Sequence, residues 1–153
     1  MSAKAETRMQ QVVSSSAQWP LSKVLIAGVI AIVGSILANL IVRAIGLALI
    51  GAQPDFDPLA TFGPVVIFSV MFIAVATLIF LLITRVSRSV TRTWTVVALL
   101  GLVVGLIPDI MLLVSPEAMP LGSVTTGGVL VLIAMHVVSG IITWWALPRF
   151  ARA

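Results

Sequence analysis

The sequence predicts an all-α membrane protein: four transmembrane helices in an antiparallel bundle, with both termini cytoplasmic. Three observations carry that expectation. The 153-residue chain is 60% hydrophobic and only 9% charged, and its mean hydropathy is +1.22. A soluble domain carries about 25% charged residues to cover its surface. Four apolar stretches are long enough to cross the hydrocarbon, which takes about 20 residues. The basic residues alternate between the segments that separate those stretches.

The stretches run over Val24–Leu49, Phe62–Ile83, Thr95–Val114 and Val124–Leu147. Each gap contains helix-ending chemistry. "GAQPDFDPLATFGP" holds three prolines and two aspartates, "TRVSRSVTRT" is basic, and "SPEAMPLG" holds two prolines and a glycine. Gly63-Pro64 opens the second span, since proline is tolerated in a first turn. The runs do not alternate with period two, so a β-barrel does not fit. The resulting organisation is a polar cytoplasmic segment over 1–20, a transmembrane domain over 21–148 and a short basic tail over 149–153. The polar start lacks the layout of a cleaved signal peptide.

Orientation follows from Lys and Arg. Lys4, Arg8 and Lys23 precede the first span; Arg85, Arg88 and Arg92 lie between the second and third; Arg149 and Arg152 end the chain. The other two connections carry only Asp55, Asp57 and Glu117. Cytoplasmic loops favour Lys and Arg, so both termini and the middle loop are expected in the cytoplasm, the bilayer being the cell membrane. Trp19, Trp94, Trp144 and Trp145 fall at that same boundary as expected interface anchors. If the middle loop is helical, Arg85, Arg88 and Arg92 share one basic face, which either attracts anionic lipid or only fixes topology.

Small residues mark the faces expected to pack. In the first span, Ala27, Ala31, Ser35, Asn39 and Arg43 recur every fourth position, beside a row of Gly34, Ala38, Val42 and Gly46. In the third, Gly101, Gly105 and Asp109 form such a row, with Pro108 beside the carboxylate. The fourth places His136, Ser139, Gly140 and Thr143 together. Positions i and i+4 share a face, and small side chains let helices approach closely in lipid. Ala31, Ser35, Gly101, Gly105 and Gly140 are therefore the packing candidates. The second span offers only Ser69 and Thr77 and reads as the more lipid-facing member.

Counting 1.5 Å per residue from the nearest cytoplasmic basic residue puts His136 at roughly 20 Å, Asn39 at roughly 24 Å, Asp109 at roughly 26 Å and Arg43 at roughly 30 Å. Asn39, Arg43, Asp109 and His136 thus form an intramembrane polar cluster. Arg43 cannot shed its proton, and a charge at membrane depth costs several kcal/mol unless paired, hydrated or snorkelling. Asp109 is the acidic residue inside a span, so an Arg43–Asp109 ion pair is expected, with Asn39 and His136 completing the hydrogen bonding. The alternative is Arg43 snorkelling outward from a tilted helix.

His136 admits three readings: a hydrogen-bonded packing residue, a proton relay, or an axial ligand to haem or a chlorin, with Met111 or a second copy as the other ligand. The cluster as a whole is either structural or lines a path for an ion or small solute in a dimer. No internal repeat supports the transporter reading. Asp55 and Asp57 in "DFD" lack the following ligands of a calcium loop, so no metal is expected. There is no HExxH, GxSxG or phosphate-binding glycine loop, and no cysteine. Disulfides and thiolate chemistry are excluded, and the basic balance reflects topology rather than nucleic acid. The expectation is a non-catalytic membrane component without a cofactor, associated with the bilayer and with itself or a larger membrane complex. A small-solute or ion transporter and a haem- or pigment-binding subunit are the alternatives.

The residues "ANL" at 38–40 and "LIAMHVVSGIITWWALPRFAR" at 132–152 give the chain a resemblance to a family of small bacterial four-span membrane proteins that carries only a domain-of-unknown-function label. In the second motif a Met-His pair precedes a small-residue stretch and a Leu-Pro-Arg ending. The resemblance implies four helices with a histidine in the last. It implies no activity and no catalytic residues.

Overall fold

The computed structural model describes residues 18–153. Most of the polar start, including Lys4 and Arg8, lies outside the described residues. The described chain forms α1 (Leu21–Ile50), a short α2 (Asp57–Ala60), α3 (Phe62–Val86), α4 (Val90–Val114), a 3-10 turn (Pro116–Ala118) and α5 (Thr126–Phe150). The described residues include no strand. Helices α1, α3, α4 and α5 are each long and apolar enough to cross a membrane.

The helix ends on the side expected to be cytoplasmic run past the apolar stretches, whereas α5 begins at Thr126, two residues after the expected Val124. α1 begins at Leu21 rather than Val24, and α4 at Val90 rather than Thr95. A helix keeps its own backbone hydrogen bonds, so it need not stop where the hydrocarbon does. At 30 residues, α1 spans about 45 Å at 1.5 Å per residue. That exceeds a hydrocarbon thickness of about 30 Å, so α1 tilts or protrudes.

Local chemistry sets the ends. Gly51 closes α1 with φ of 86°, its N–H donating to the Leu47 carbonyl. The hydroxyl of Thr125 caps α5 by accepting from Gly128 N–H at 3.0 Å. Pro64 sits in the first turn of α3. Between α3 and α4 the chain bends at Ser87–Ser89. The Ser87 and Thr93 hydroxyls share a 2.8 Å hydrogen bond, and Ser89 N–H donates to Ser87 Oγ. Serine competes for backbone groups in this way and interrupts helices. Arg85, Arg88 and Arg92 are therefore exposed but sit on α3, the bend and α4, and do not form the single helical face expected.

α1 is the central member, packed against both α3 and α5, while α4 leans mainly on α5. The close approaches are made at glycines, where a Cβ would have to displace a neighbour. A Cβ at Gly28 would lie 2.7 Å from Thr77 of α3, one at Gly46 2.5 Å from Val131 of α5, and one at Gly140 2.9 Å from Leu102 of α4. Ala31 and Ser35 are buried beside them. Gly101 is different. A Cβ there meets nothing within 4 Å, so among the described residues it packs against no other helix.

The least covered helix is α4, not the second span. Its buried residues are only Val90, Trp94, Asp109 and Leu112, whereas α3 buries a full stripe from Val65 to Thr84. The sequence hid this because the buried stripe of α3 has no glycine to mark it and Gly101 of α4 faces outward.

At one end, Trp19 meets Phe80 edge-on at 5.5 Å, and Phe80 meets Trp94 edge-on at 5.2 Å. Trp19 and Trp94 are 2% exposed, so they are core residues rather than interface anchors; Trp144 and Trp145 remain open. Trp94 is drawn inward by a backbone group. Pro148 lies inside α5 and has no N–H, which leaves the Trp144 carbonyl one turn earlier without its helical donor. Trp94 Nε1–H donates to that carbonyl at 3.0 Å, and Trp144 Nε1–H returns a bond to Thr95 Oγ1 at 3.1 Å.

Trp94→Phe should therefore cost about 1–3 kcal/mol, the range for stranding a buried acceptor. In a Pro148→Ala background the restored N–H should recover much of that loss. Reversible unfolding of the four proteins of this cycle in micelles measures it, and equal losses in both backgrounds would rule the carbonyl out as the cause.

Candidate functional site

The polar residues of the four long helices gather in three places rather than one. The first is Asn39. Helix α1 carries it in the buried row of Ala31 and Ser35, facing both α3 and α5. Its amide Nδ2 donates to Ser69 Oγ of α3 at 3.1 Å and to Ser139 Oγ of α5 at 2.8 Å. One side chain thus ties three helices together. Asn39 Oδ1 and Ser35 Oγ are buried without a partner among the described residues. Ser139 was visible beside His136 on the α5 face; Ser69 gave no signal, because a lone serine in an apolar run shows no direction.

The second place joins α4 to α5. Asp109 is 4% exposed, and its Oδ2 lies 2.7 Å from His136 Nδ1. The contact has an ion-pair distance without hydrogen-bond alignment, and Oδ2 meets no other donor among the described residues. The His136 side chain stays 35% exposed. Phe72 of α3 meets the imidazole edge-on at 6.2 Å, and a Cβ on Gly105 would be 3.9 Å from His136 Cδ2. The histidine thus has a carboxylate on one side, an aromatic ring on another and a bare stretch of backbone opposite.

The third place is Arg43, which does not meet Asp109. Helices α1 and α4 share no substantial contact, since both pack on α5. The guanidinium turns instead to the connection after α1. Nε–H and an Nη2–H donate to the Leu59 carbonyl at 3.0 and 2.6 Å, and Nη2–H also reaches the Ala60 carbonyl at 3.2 Å. These are the last carbonyls of α2, groups that a helix end leaves unsatisfied. The cation also lies 4.8 Å from the Phe62 ring centroid, a favourable placement over an aromatic face. The outward alternative is the nearer of the two expectations, but Arg43 ends on protein.

What Arg43 holds is an ordered cap. Asp57 N–H donates to the Leu121 carbonyl at 3.1 Å, and Ser123 N–H to the Asp55 carbonyl at 2.6 Å. Gly122 takes φ of 79° here, and a Cβ at it would run into the Asp55 carbonyl. Phe56 and Leu59 are fully buried beneath. The "DFD" stretch therefore contributes backbone groups and a phenyl ring. Of the three places, only the Asp109–His136 pair presents a titratable group at an open face.

The chain belongs to a family of unknown function, DUF6069, whose sequence model matches residues 16–153. The resemblance carried by residues 38–40 and 132–152 falls within that span. No curated protein and no solved structure gives a match.

Two mutant cycles separate these places. Asp109→Ala and His136→Ala should couple by about 0.5–3 kcal/mol in unfolding free energy, as contacting residues do. Arg43→Ala and Asp109→Ala should add to within about 0.5 kcal/mol, as independent sites do. Reversing that pattern would restore the ion pair between α1 and α4.

Proposed function

We propose that this member of DUF6069 is a non-catalytic, self-associating component of a bacterial cytoplasmic membrane. In this reading its four long helices form an antiparallel bundle with both termini cytoplasmic. Contacts among Trp19, Phe80, Trp94 and Trp144 join the start of α1, the end of α3, the start of α4 and the end of α5. Lys23, Arg85, Arg88, Arg92, Arg149 and Arg152 cluster near those positions in sequence. Asp55, Asp57 and Glu117 belong to the two connections at the other ends. The excess of Lys and Arg on cytoplasmic segments then orients the bundle. Its partners are the lipid bilayer and a second copy; nucleic acid has no place in it.

The observation that carries self-association is the open side of α4. This helix buries four of its 25 residues, and Gly101 stands on it with nothing above it. A glycine facing lipid weakens a helix by about 1 kcal/mol relative to alanine and offers lipid nothing. Against a second copy it lets two backbones approach closely, the usual source of helix affinity in bilayers. Arg43 and Asn39, engaged with loop carbonyls and serines, support a structural use of the polar groups.

Gly101→Leu should leave the folded chain as stable as the parent, because the new side chain meets open space. It should weaken dimerisation at least about tenfold, equivalent to 1.4 kcal/mol. Single-molecule photobleaching in vesicles over a range of protein densities reads this directly. A parent protein that stays monomeric at every density would overturn the proposal.

A further inference from the structure

Independently of self-association, we propose that the open face at His136, flanked by α3 and α4, binds a membrane-soluble quinol-class ligand: an aromatic ring bearing a hydroxyl, carried on an apolar tail. His136 lies thirteen residues from Arg149, roughly 20 Å along the helix, within the hydrocarbon rather than at its edge.

The site is built from three walls. Asp109, 4% exposed, fixes the imidazole from behind through Nδ1 at 2.7 Å. This leaves Nε2, which meets no partner among the described residues, as the free end of a ring that is 35% exposed. On the α3 side stand two phenylalanines, Phe72 edge-on to the imidazole at 6.2 Å and Phe68 stacked on Phe72 at 6.2 Å and 26°. Both are about half exposed, so their rings are available to a third. On the α4 side is Gly105, where no side chain intrudes. Helices α3 and α4 touch only sparsely, and α5 forms the floor.

The chemistry of the occupant follows from these walls. A polar nitrogen facing hydrocarbon without a partner is unfavourable. Headgroups lie too far out to reach it, and ions do not arrive through lipid. The partner must therefore dissolve in the bilayer. With Nδ1 held beside Asp109 at 2.7 Å, Nε2 is the outward nitrogen, and a hydroxyl suits it because a hydroxyl can donate to a neutral ring or accept from a charged one. The flanking phenyl rings select a flat aromatic ring, since offset and edge-on aromatic pairs contribute beyond their buried area. A phenolic ring on an alkyl tail satisfies all three demands. No electron or proton transfer is implied, only binding.

His136 is the sole histidine, which makes the test direct. The full chain, labelled with 15N-histidine and held in lipid nanodiscs, is titrated with decylubiquinol under reducing conditions while the two imidazole nitrogen signals are followed by NMR. The Nε2 signal should shift saturably, with the Nδ1 signal nearly still. Gly105→Leu should abolish the shift by placing a side chain against the His136 ring edge that carries Nε2. Phe72→Leu, a milder change, should weaken binding three- to tenfold, the equivalent of about 0.5–1.5 kcal/mol for a lost aromatic pair. An unmoved Nε2 signal, or a shift that grows without saturation alike in parent and variants, would overturn the site. An equal saturable shift with 1-decanol would overturn its selectivity for a ring.

Discussion

Inside a bilayer every polar group must find its partner within the protein, and the arrangement of these helices depends on that constraint. Lipid tails are as apolar as leucine, so burying apolar surface does not favour one helix order over another. Order comes from close backbone approach and from hydrogen bonds. A single interhelical hydrogen bond contributes only about 0.6 kcal/mol on average in membranes, whereas an unpaired charge at the centre of a helix costs about 2.5–3.5 kcal/mol. Arg43 lies seven residues from the end of α1, where that cost is smaller but still demands acceptors. The carbonyls of Leu59 and Ala60 supply them to its guanidinium. The connection after α1 has to fold back over the helix end to do so, which places Phe56 and Leu59 in the core and brings residues 121–123 against residues 55–57.

The same constraint divides the bundle into a tight part and a loose one. Helices α1, α3 and α5 meet where Gly28 and Gly46 remove the side chain that would hold them apart, and Asn39 bridges all three. α4 has few such contacts. It is held at one end by the Trp94 indole on the carbonyl freed by Pro148, and farther along by Leu102 over Gly140 and by Asp109 against His136. Its remaining surface is open to lipid or to another molecule.

Much of this was legible in the sequence, and the limits have physical causes. Hydropathy and proline-rich breaks located the four long helices, because length and apolarity are local properties. Periodicity put Ser35, Asn39, Asp109 and His136 on inward-facing rows. It could not say which rows face each other, since the order of helices around a bundle is a non-local property. Arg43 and Asp109 lie at similar estimated depth, yet α5 stands between their helices. For the same reason Gly101 and Gly105 looked alike, although one meets open space and the other a histidine. Trp94 carried a signal that was readable in principle: a proline four residues after Trp144 strands a carbonyl, and a stranded carbonyl needs a donor. Backbone partners such as the Leu59 carbonyl carry no side-chain signature at all.

The Asp109–His136 pair differs from the other polar contacts in a way that bears on its role. Asn39 and Trp94 are themselves buried and donate to neighbouring helices, so their contribution is to hold helices together. Asp109 is enclosed, but its partner is about one-third open. Replacing a buried ionic pair by apolar residues of similar volume is often neutral or stabilising, so cohesion alone gives a weak reason for placing a carboxylate on the least covered helix. Apolar residues at 109 and 136 would hold α4 as well, and would leave no nitrogen facing the hydrocarbon. What the carboxylate–imidazole pair provides and an apolar pair cannot is an imidazole held in place, about one-third open, with its outer nitrogen unpartnered among the described residues. That feature is useful only to something that comes to it through the membrane.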